Sequence, residues 1–187
     1  TGVRAEKSGP AQAAYNRRRA ECEEALAAVA AELVRSRRLA RAPRGYAELL
    51  RTVQDDEALE AARRVLDGTL LKRFRHVVTE NARVNEAQDL LLQADHEGFG
   101  MLMDASHGSL RADFHVSSGE LDELVALAKE GGASGARLTG AGFGGCIVAL
   151  ASTATVDDVL ETLLTGYYEP RRMADRLDPR LFLAVPS

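Results

Sequence analysis

A chain of 187 residues that is 45 % hydrophobic and 28 % charged has globular proportions, enough for one large domain or two small ones, and is not a disordered segment. A formal charge of −4 and a pI near 5.6 lack the basic footprint of a general nucleic-acid binder, and 5 % aromatic residues without tryptophan leave few stacking platforms. No apolar run nears the roughly 20 residues of a membrane-spanning helix, the opening TGVRAEKSGP lacks the apolar core of a secretory signal, and Cys22 and Cys146 form neither a CxxC site nor a disulfide framework; a cytoplasmic protein without membrane or nucleic-acid partners is expected.

The segment TGVRAEKSG reads as the end of a strand entering a turn. From Gln12 to about Leu39, Ala25, Leu26, Val29, Ala30, Leu33 and Val34 recur at helical spacing, until Pro43 and Gly45 break the pattern. Arg17, Arg18 and Arg19 with Glu21, Glu23 and Glu24 crowd its first half, and pairing along one helix accounts for them without an anion site. Shorter helices are predicted over Tyr46 to Leu50 and Asp56 to Leu66. The clearest periodicity follows. Leu70, Phe74, Val77, Val78, Val84, Ala87 and Leu91 form one apolar stripe, with Arg73, Arg75, Glu80, Arg83 and Glu86 mostly off it.

Helical character continues from Asp95 to about Asp113 despite Gly98, Gly100 and Gly108. Ser117 or Ser118 can cap a helix from Glu120 to Lys129, which Gly131 and Gly132 end. Then the pattern changes. Gly135 to Thr139 and Cys146 to Ala151 are short strand-like runs, Thr155 to Leu164 is helical, and Leu181 to Val185 reads as a last strand. This order predicts an α+β fold with several helices packed on one face of a small, mostly antiparallel sheet. Cys146 reads as a small core residue opening a buried strand, and Asp104 as a solvated helix residue. His76, His96, His107 and His115 show neither HxxxH nor HExxH spacing, so no metal set is predicted, and adjacent Ser106 and His107 do not form a nucleophile pair.

The most informative stretch is RLTGAGFGGC, Arg137 to Cys146. Gly140, Gly142 and Gly145 satisfy G-x-G-x-x-G, but the dinucleotide reading requires a helix next, and CIVALA reads as a strand. A Walker A loop fails because no Gly-Lys-Ser/Thr follows. Two readings of a four-glycine strand-to-strand link remain: an anion-binding nest of backbone N–H groups, or a bulged hairpin whose glycines only satisfy the turn.

RLTGAGFGGC resembles the third signature of galactokinases, within the GHMP kinase superfamily. AAYNRRRAECEEA (Ala13 to Ala25), RFRHVVTENARVNEA (Arg73 to Ala87) and SHGSLRADFHVSSGELDELV (Ser106 to Val125) resemble further family segments, in the family's order and across almost the whole chain. The resemblance implies a GHMP-kinase-type C-terminal domain over residues 1–187, with a ferredoxin-like core, in an enzyme that phosphorylates galactose to galactose 1-phosphate with ATP and Mg2+. The family's GEHTDY-like string, serine-rich phosphate loop and Met-Asp-Gln run have no counterpart here. The expected consequence is that the amino-terminal kinase half, which binds most of the ATP and Mg2+, is absent and supplied by the same or another chain. This chain alone is then expected to be inactive, with no catalytic residue of its own. Tyr15 matches the family's galactose-contacting tyrosine, and Thr139, Gly140, Ala141, Gly142, Phe143, Gly144 and Gly145 match the loop that shapes the phosphate pocket. Thr139 either donates its hydroxyl to phosphate or closes the turn. The rival readings are a catalytically incomplete sugar- or nucleotide-binding or regulatory module, and a GHMP kinase for another sugar.

Overall fold

The structure is a computed structural model that describes residues 1–2, 9–173 and 181–184. In chain order it contains α1 (Pro10–Arg35), α2 (Tyr46–Thr52), α3 (Asp55–Val65), α4 (Gly68–Leu92) and α5 (His96–Ser109). A π-helical turn (Leu110–Phe114) leads to α6 (Gly119–Glu130), β1 (Gly135–Thr139), β2 (Cys146–Leu150), α7 (Val156–Leu163) and a second π-helical turn (Leu164–Tyr168). The chain divides into two compact units, a helical one (6–89 and 108–115) and a sheet-containing one (1–5, 90–107 and 116–187).

The helical unit is built on the spacing read from the sequence. Ala25, Val29 and Leu33 of α1 recur one turn apart and meet Leu49 of α2, Ala58, Ala61 and Ala62 of α3, and Phe74 and Val78 of α4. The three alanines leave α3 a smooth face against α1. Full burial of a side chain such as Leu33 or Phe74 contributes about 2–3 kcal/mol each. The Tyr46 hydroxyl donates to the Cys22 carbonyl at 2.9 Å, and its ring lies 5.5 Å from that of Phe74.

Two expectations fail on α4. The predicted apolar stripe is buried only in its first half: Val84 is 63 % exposed and Leu91 57 %. Arg73, placed mostly off the stripe, is the largest fully buried side chain among the described residues. It stands three residues after Leu70 and four before Val77, so helical geometry puts it on the buried face.

In the sheet-containing unit, β1 and β2 pair antiparallel from Gly135↔Leu150 to Thr139↔Cys146. Leu124 and Ala128 of α6, Ala136 of β1, Val159 and Leu163 of α7, and Tyr167 and Tyr168 form the core. Buried β1 contrasts with β2, where exposed and half-buried residues alternate and Cys146 lies exposed. Cys146 is therefore not a core residue; β2 presents one face to solvent and has the period-2 burial of a one-sided strand. Ser118, not Ser117, caps α6 by accepting from the Leu121 amide at 3.4 Å. Leu181 to Ala184 form no strand; Val185 and most of the opening TGVRAEKSG (residues 3–8) lie outside the described residues. Among the described residues the sheet has two strands, and no helix is long and apolar enough to cross a membrane.

Helix α5 crosses the start of β1 at backbone contact. A Cβ on Gly135 would stand 2.1 Å from the Gly100 carbonyl oxygen, and one on Gly100 would stand 2.3 Å from that of Ser134. That close approach lets side chains of α5 reach the amides of β1.

Candidate functional site

Each unit presents one candidate element. In the helical unit, Tyr15 occupies the second turn of α1 and is 40 % exposed. Its ring is a rigid, amphipathic surface with a hydroxyl that both donates and accepts.

The helix that carries Tyr15 is held by charge. Buried Arg73 donates from Nε to Glu21 Oε2 at 2.7 Å and from Nη1 to the Asp113 carbonyl. Arg18, midway between Tyr15 and Glu21, reaches the same carboxylate at 3.3 Å, and Arg19 lies 4.0 Å from Glu23. The predicted pairing along α1 is therefore real, yet Glu21 is also recruited by α4. Arg75 closes on the Asp113 carboxylate through Nε at 3.0 Å and through Nη2. His76 Nδ1 lies 2.9 Å from Ser109 Oγ, and its ring stacks on Phe114 at 4.4 Å. The Arg-Phe-Arg-His run of α4 thus clamps the π-helical turn and ties it to α1.

The titrations follow from this cluster. Burial pushes the Glu21 carboxyl upward, but the Arg73 hydrogen bond and charge, joined by Arg18, outweigh it and hold the group below the ordinary carboxylate range. His115 follows the π-helical turn in left-handed conformation (φ 56°), and burial, then the charge of Arg73, lower its pKa. Burial raises the Cys22 thiol to about 11.

The second element is the link from Thr139 to Gly145. Gly140, Gly142, Phe143, Gly144 and Gly145 all have positive φ, between 59° and 117°, so Ala141 alone of the six linking residues lies outside that region. The glycines do different jobs. A Cβ on Gly142 would meet the Val116 carbonyl oxygen at 2.2 Å, whereas one on Gly140 would meet nothing within 4 Å. Gly142 is thus required by the protein's own backbone, and the Phe143 amide seals that contact by donating to the Val116 carbonyl at 2.7 Å. Thr139, Gly140 and Ala141 are exposed and form the open side of the loop. The turn reading holds at Gly142, whose position the protein's own backbone requires, while the space at Gly140 is open.

The base of the loop is anchored by α5. The Ala136 amide donates to Asp104 Oδ1 at 2.9 Å and the Leu138 amide to His107 Nδ1 at 3.3 Å, so two helix side chains serve amides of β1 that turn away from β2. Asp104 also pairs with Lys129 at 2.8 Å, which corrects its reading as a solvated residue. His107 Nε2 lies 3.1 Å from Asp122 Oδ1, which accepts from Ser117 Oγ at 2.5 Å.

Sequence reasoning missed Arg73, Asp104 and His107. For Arg73 the signal was its place within the stripe. For the other two it was their three-residue spacing, which puts a carboxylate and an imidazole on one face of α5, opposite alternate amides of a strand.

Residues 87–169 match the family model described as GHMP kinases C terminal. That segment is a GHMP kinase C-terminal domain. It is similar to a galactokinase of Enterococcus faecalis, 42 % identical over 161 residues, and to one of Mannheimia succiniciproducens, 41 % identical over 155. These alignments cover 85 % and 82 % of this chain but 38 % and 37 % of the relatives, so the chain spans less than two fifths of their length. The crystal structure of Lactococcus lactis galactokinase complexed with galactose superposes with a TM-score of 0.71 at 35 % identity, over 89 % of this chain and 40 % of that one. The matching region is the carboxyl-terminal portion of the galactokinases. The α+β architecture of this GHMP kinase domain agrees with the fold expected from sequence.

The cofactor expectations divide on chemistry. The run of positive-φ residues with an open side at Gly140 is a backbone of the kind that can accommodate a phosphate, so the loop is compatible with ATP. Among the described residues no three His, Cys, Asp or Glu side chains gather as a metal site, and the carboxylates at the base of the loop, Asp104 and Asp122, are engaged by protein donors.

Proposed function

We propose that this chain is the carboxyl-terminal part of a galactokinase, a cytoplasmic enzyme that transfers the γ-phosphoryl group of ATP to the anomeric hydroxyl of galactose. The hydroxyl oxygen attacks phosphorus, the bond to the bridging oxygen of ADP breaks, and the hydroxyl proton is lost to a base. The products are galactose 1-phosphate and ADP. In this reading Tyr15 contacts a galactose hydroxyl, and the loop from Thr139 to Gly145 supplies backbone donors to the phosphates from its open side at Gly140, the Phe143 amide being engaged by Val116. Such transfer rests on positioning and charge neutralisation, which preset amides provide without reorganisation. The catalytic groups and the Mg2+ site belong to an amino-terminal half, in the same or another chain, and this chain alone is inactive.

The observation that carries the proposal is the level of similarity to galactokinases, 42 % identity across 85 % of the chain. The test is completion. The chain is joined in frame to, or mixed with, the amino-terminal half of a galactokinase, and ATP turnover is measured with and without galactose. Galactose-dependent turnover is expected from the pair and from neither piece. Tyr15→Phe in the completed enzyme should raise KM for galactose about tenfold, the worth of one good hydrogen bond. A well-folded pair without turnover sinks the reading.

A further inference from the structure

We infer that His107 is the positioning residue of the glycine loop: a neutral imidazole, protonated on Nε2, that ties the strand entering the loop to the first turn of α6 and so presets Thr139 to Gly145 for a triphosphate. The inference rests on the phosphate-cradle reading above and deepens it by naming what holds the cradle.

The tautomer follows from partners that cannot exchange roles. The Leu138 amide is a donor only, and it points at Nδ1 from 3.3 Å, so Nδ1 presents a lone pair. The ring proton then sits on Nε2, 3.1 Å from the Asp122 carboxylate, which also accepts from Ser117 at 2.5 Å. His107 is 5 % exposed and Leu138 1 %, so the bond between them has no ready substitute in water.

The placement gives these bonds their consequence. Leu138 immediately precedes Thr139, and Ser117 immediately follows Val116, whose carbonyl receives the Phe143 amide and lies against Gly142. One connected path, Leu138–His107–Asp122–Ser117, therefore holds the entrance of the loop and the support beneath its middle. Backbone donors favour an oxyanion strongly only when they converge before it arrives. A histidine suits the position because one buried side chain must accept on one side and donate on the other. Asparagine and glutamine each reproduce half of that: Asn places an oxygen near Nδ1, and Gln places an amide nitrogen near Nε2.

The direct test is nitrogen NMR of this chain, which should show Nε2 of His107 protonated and Nδ1 unprotonated, with a protected Leu138 amide. His107→Asn keeps the acceptor and is expected to keep Leu138 exchange within about twofold of wild type, whereas His107→Gln loses it and should speed exchange about tenfold while shifting the Gly140 to Gly145 amides. In the completed kinase, His107→Gln should raise KM for ATP about tenfold and leave KM for galactose unchanged. Should His107→Gln fail to fold, Asp122→Asn serves instead and must shift the Nε2 resonance and the loop amides together. A proton on Nδ1, equal effects of the Asn and Gln variants on Leu138, or loop amides that stay in place overturns the inference. The NMR readouts need no turnover, so an inactive completed kinase would count against the proposed reaction and not against the anchoring of the loop.

Discussion

Around Tyr15 the anchoring is ionic: a buried guanidinium, Arg73, joins the Glu21 carboxylate to the Asp113 carbonyl, and Arg75 grips the Asp113 side chain. Around the glycine loop it is made of backbone contact and hydrogen bonds to single amides: Val116 under Gly142, Asp104 on Ala136, His107 on Leu138. The difference matches what each element has to present. Tyr15 offers one side chain, and a helix held by a few charged bonds aims it well enough. The loop offers main-chain donors, so its backbone must itself be fixed. Phe143, the one non-glycine there at positive φ, carries a strain that the surrounding contacts have to offset.

The contrast breaks most visibly at Gly142. Gly142→Ala places a Cβ 2.2 Å from a backbone oxygen at φ 79°, with no flexible side chain to move aside. The expected loss is roughly 3–4 kcal/mol, combining overpacking with left-handed strain, and a urea unfolding midpoint measures it. A midpoint near wild type would mean that the loop is not held by Val116. Arg73→Met tests the ionic side. Methionine fills much of the volume but leaves the Asp113 carbonyl unpaired and Glu21 with Arg18 alone. The expected loss is roughly 3 kcal/mol, whereas Glu21→Gln, which keeps an oxygen for the guanidinium and removes only the charge, should cost under about 1 kcal/mol. If both variants were neutral, charge would not be what holds α1.

Gly140→Ala sharpens the same comparison. Its φ is 85° but its surroundings are open, so only the left-handed strain of about 1 kcal/mol applies. A loop that cradles phosphate predicts a second effect in the completed kinase: KM for ATP rises because the methyl group occupies the approach to the amides. Stability loss without any change in KM would reduce Gly140 to a turn residue.

How much of this was legible in sequence depended on whether one element or two was involved. Ala25, Val29 and Leu33 announced the face of α1, and the glycine spacing marked the loop, because each is a local regularity of one element. Arg73 was misplaced because a charge type outweighed its position in the stripe. Val84 and Leu91 were misplaced for the converse reason, since an apolar residue at the right spacing is buried only where another element covers it. Cys146 carried no sign that its strand is covered on one face only. Asp104 and His107 serve amides 32 and 31 residues further along the chain, and no periodicity encodes such a pairing.

The smallest expected effect separates the two anchors by pH. The Glu21 carboxyl is depressed in the fold, so its stabilisation is complete above the ordinary carboxylate range and disappears as pH falls through the folded value, where the unfolded chain already binds the proton. His115 acts in the same direction at higher pH: its folded pKa is lowered, so just below the ordinary histidine range the unfolded state takes up more protons and stability declines. Acidification should therefore erode the ionic anchor of Tyr15 in two steps, first near His115 and then near Glu21, the second worth under about 1 kcal/mol because the carboxylate is partly solvated. Unfolding curves for wild type and Glu21→Gln across the acid range decide the matter. The two curves should converge as the pH drops through the Glu21 titration, since protonation does to the wild type what the substitution has already done. A constant gap between them down to the lowest pH at which the chain folds would show that Glu21 acts through packing and not through its charge.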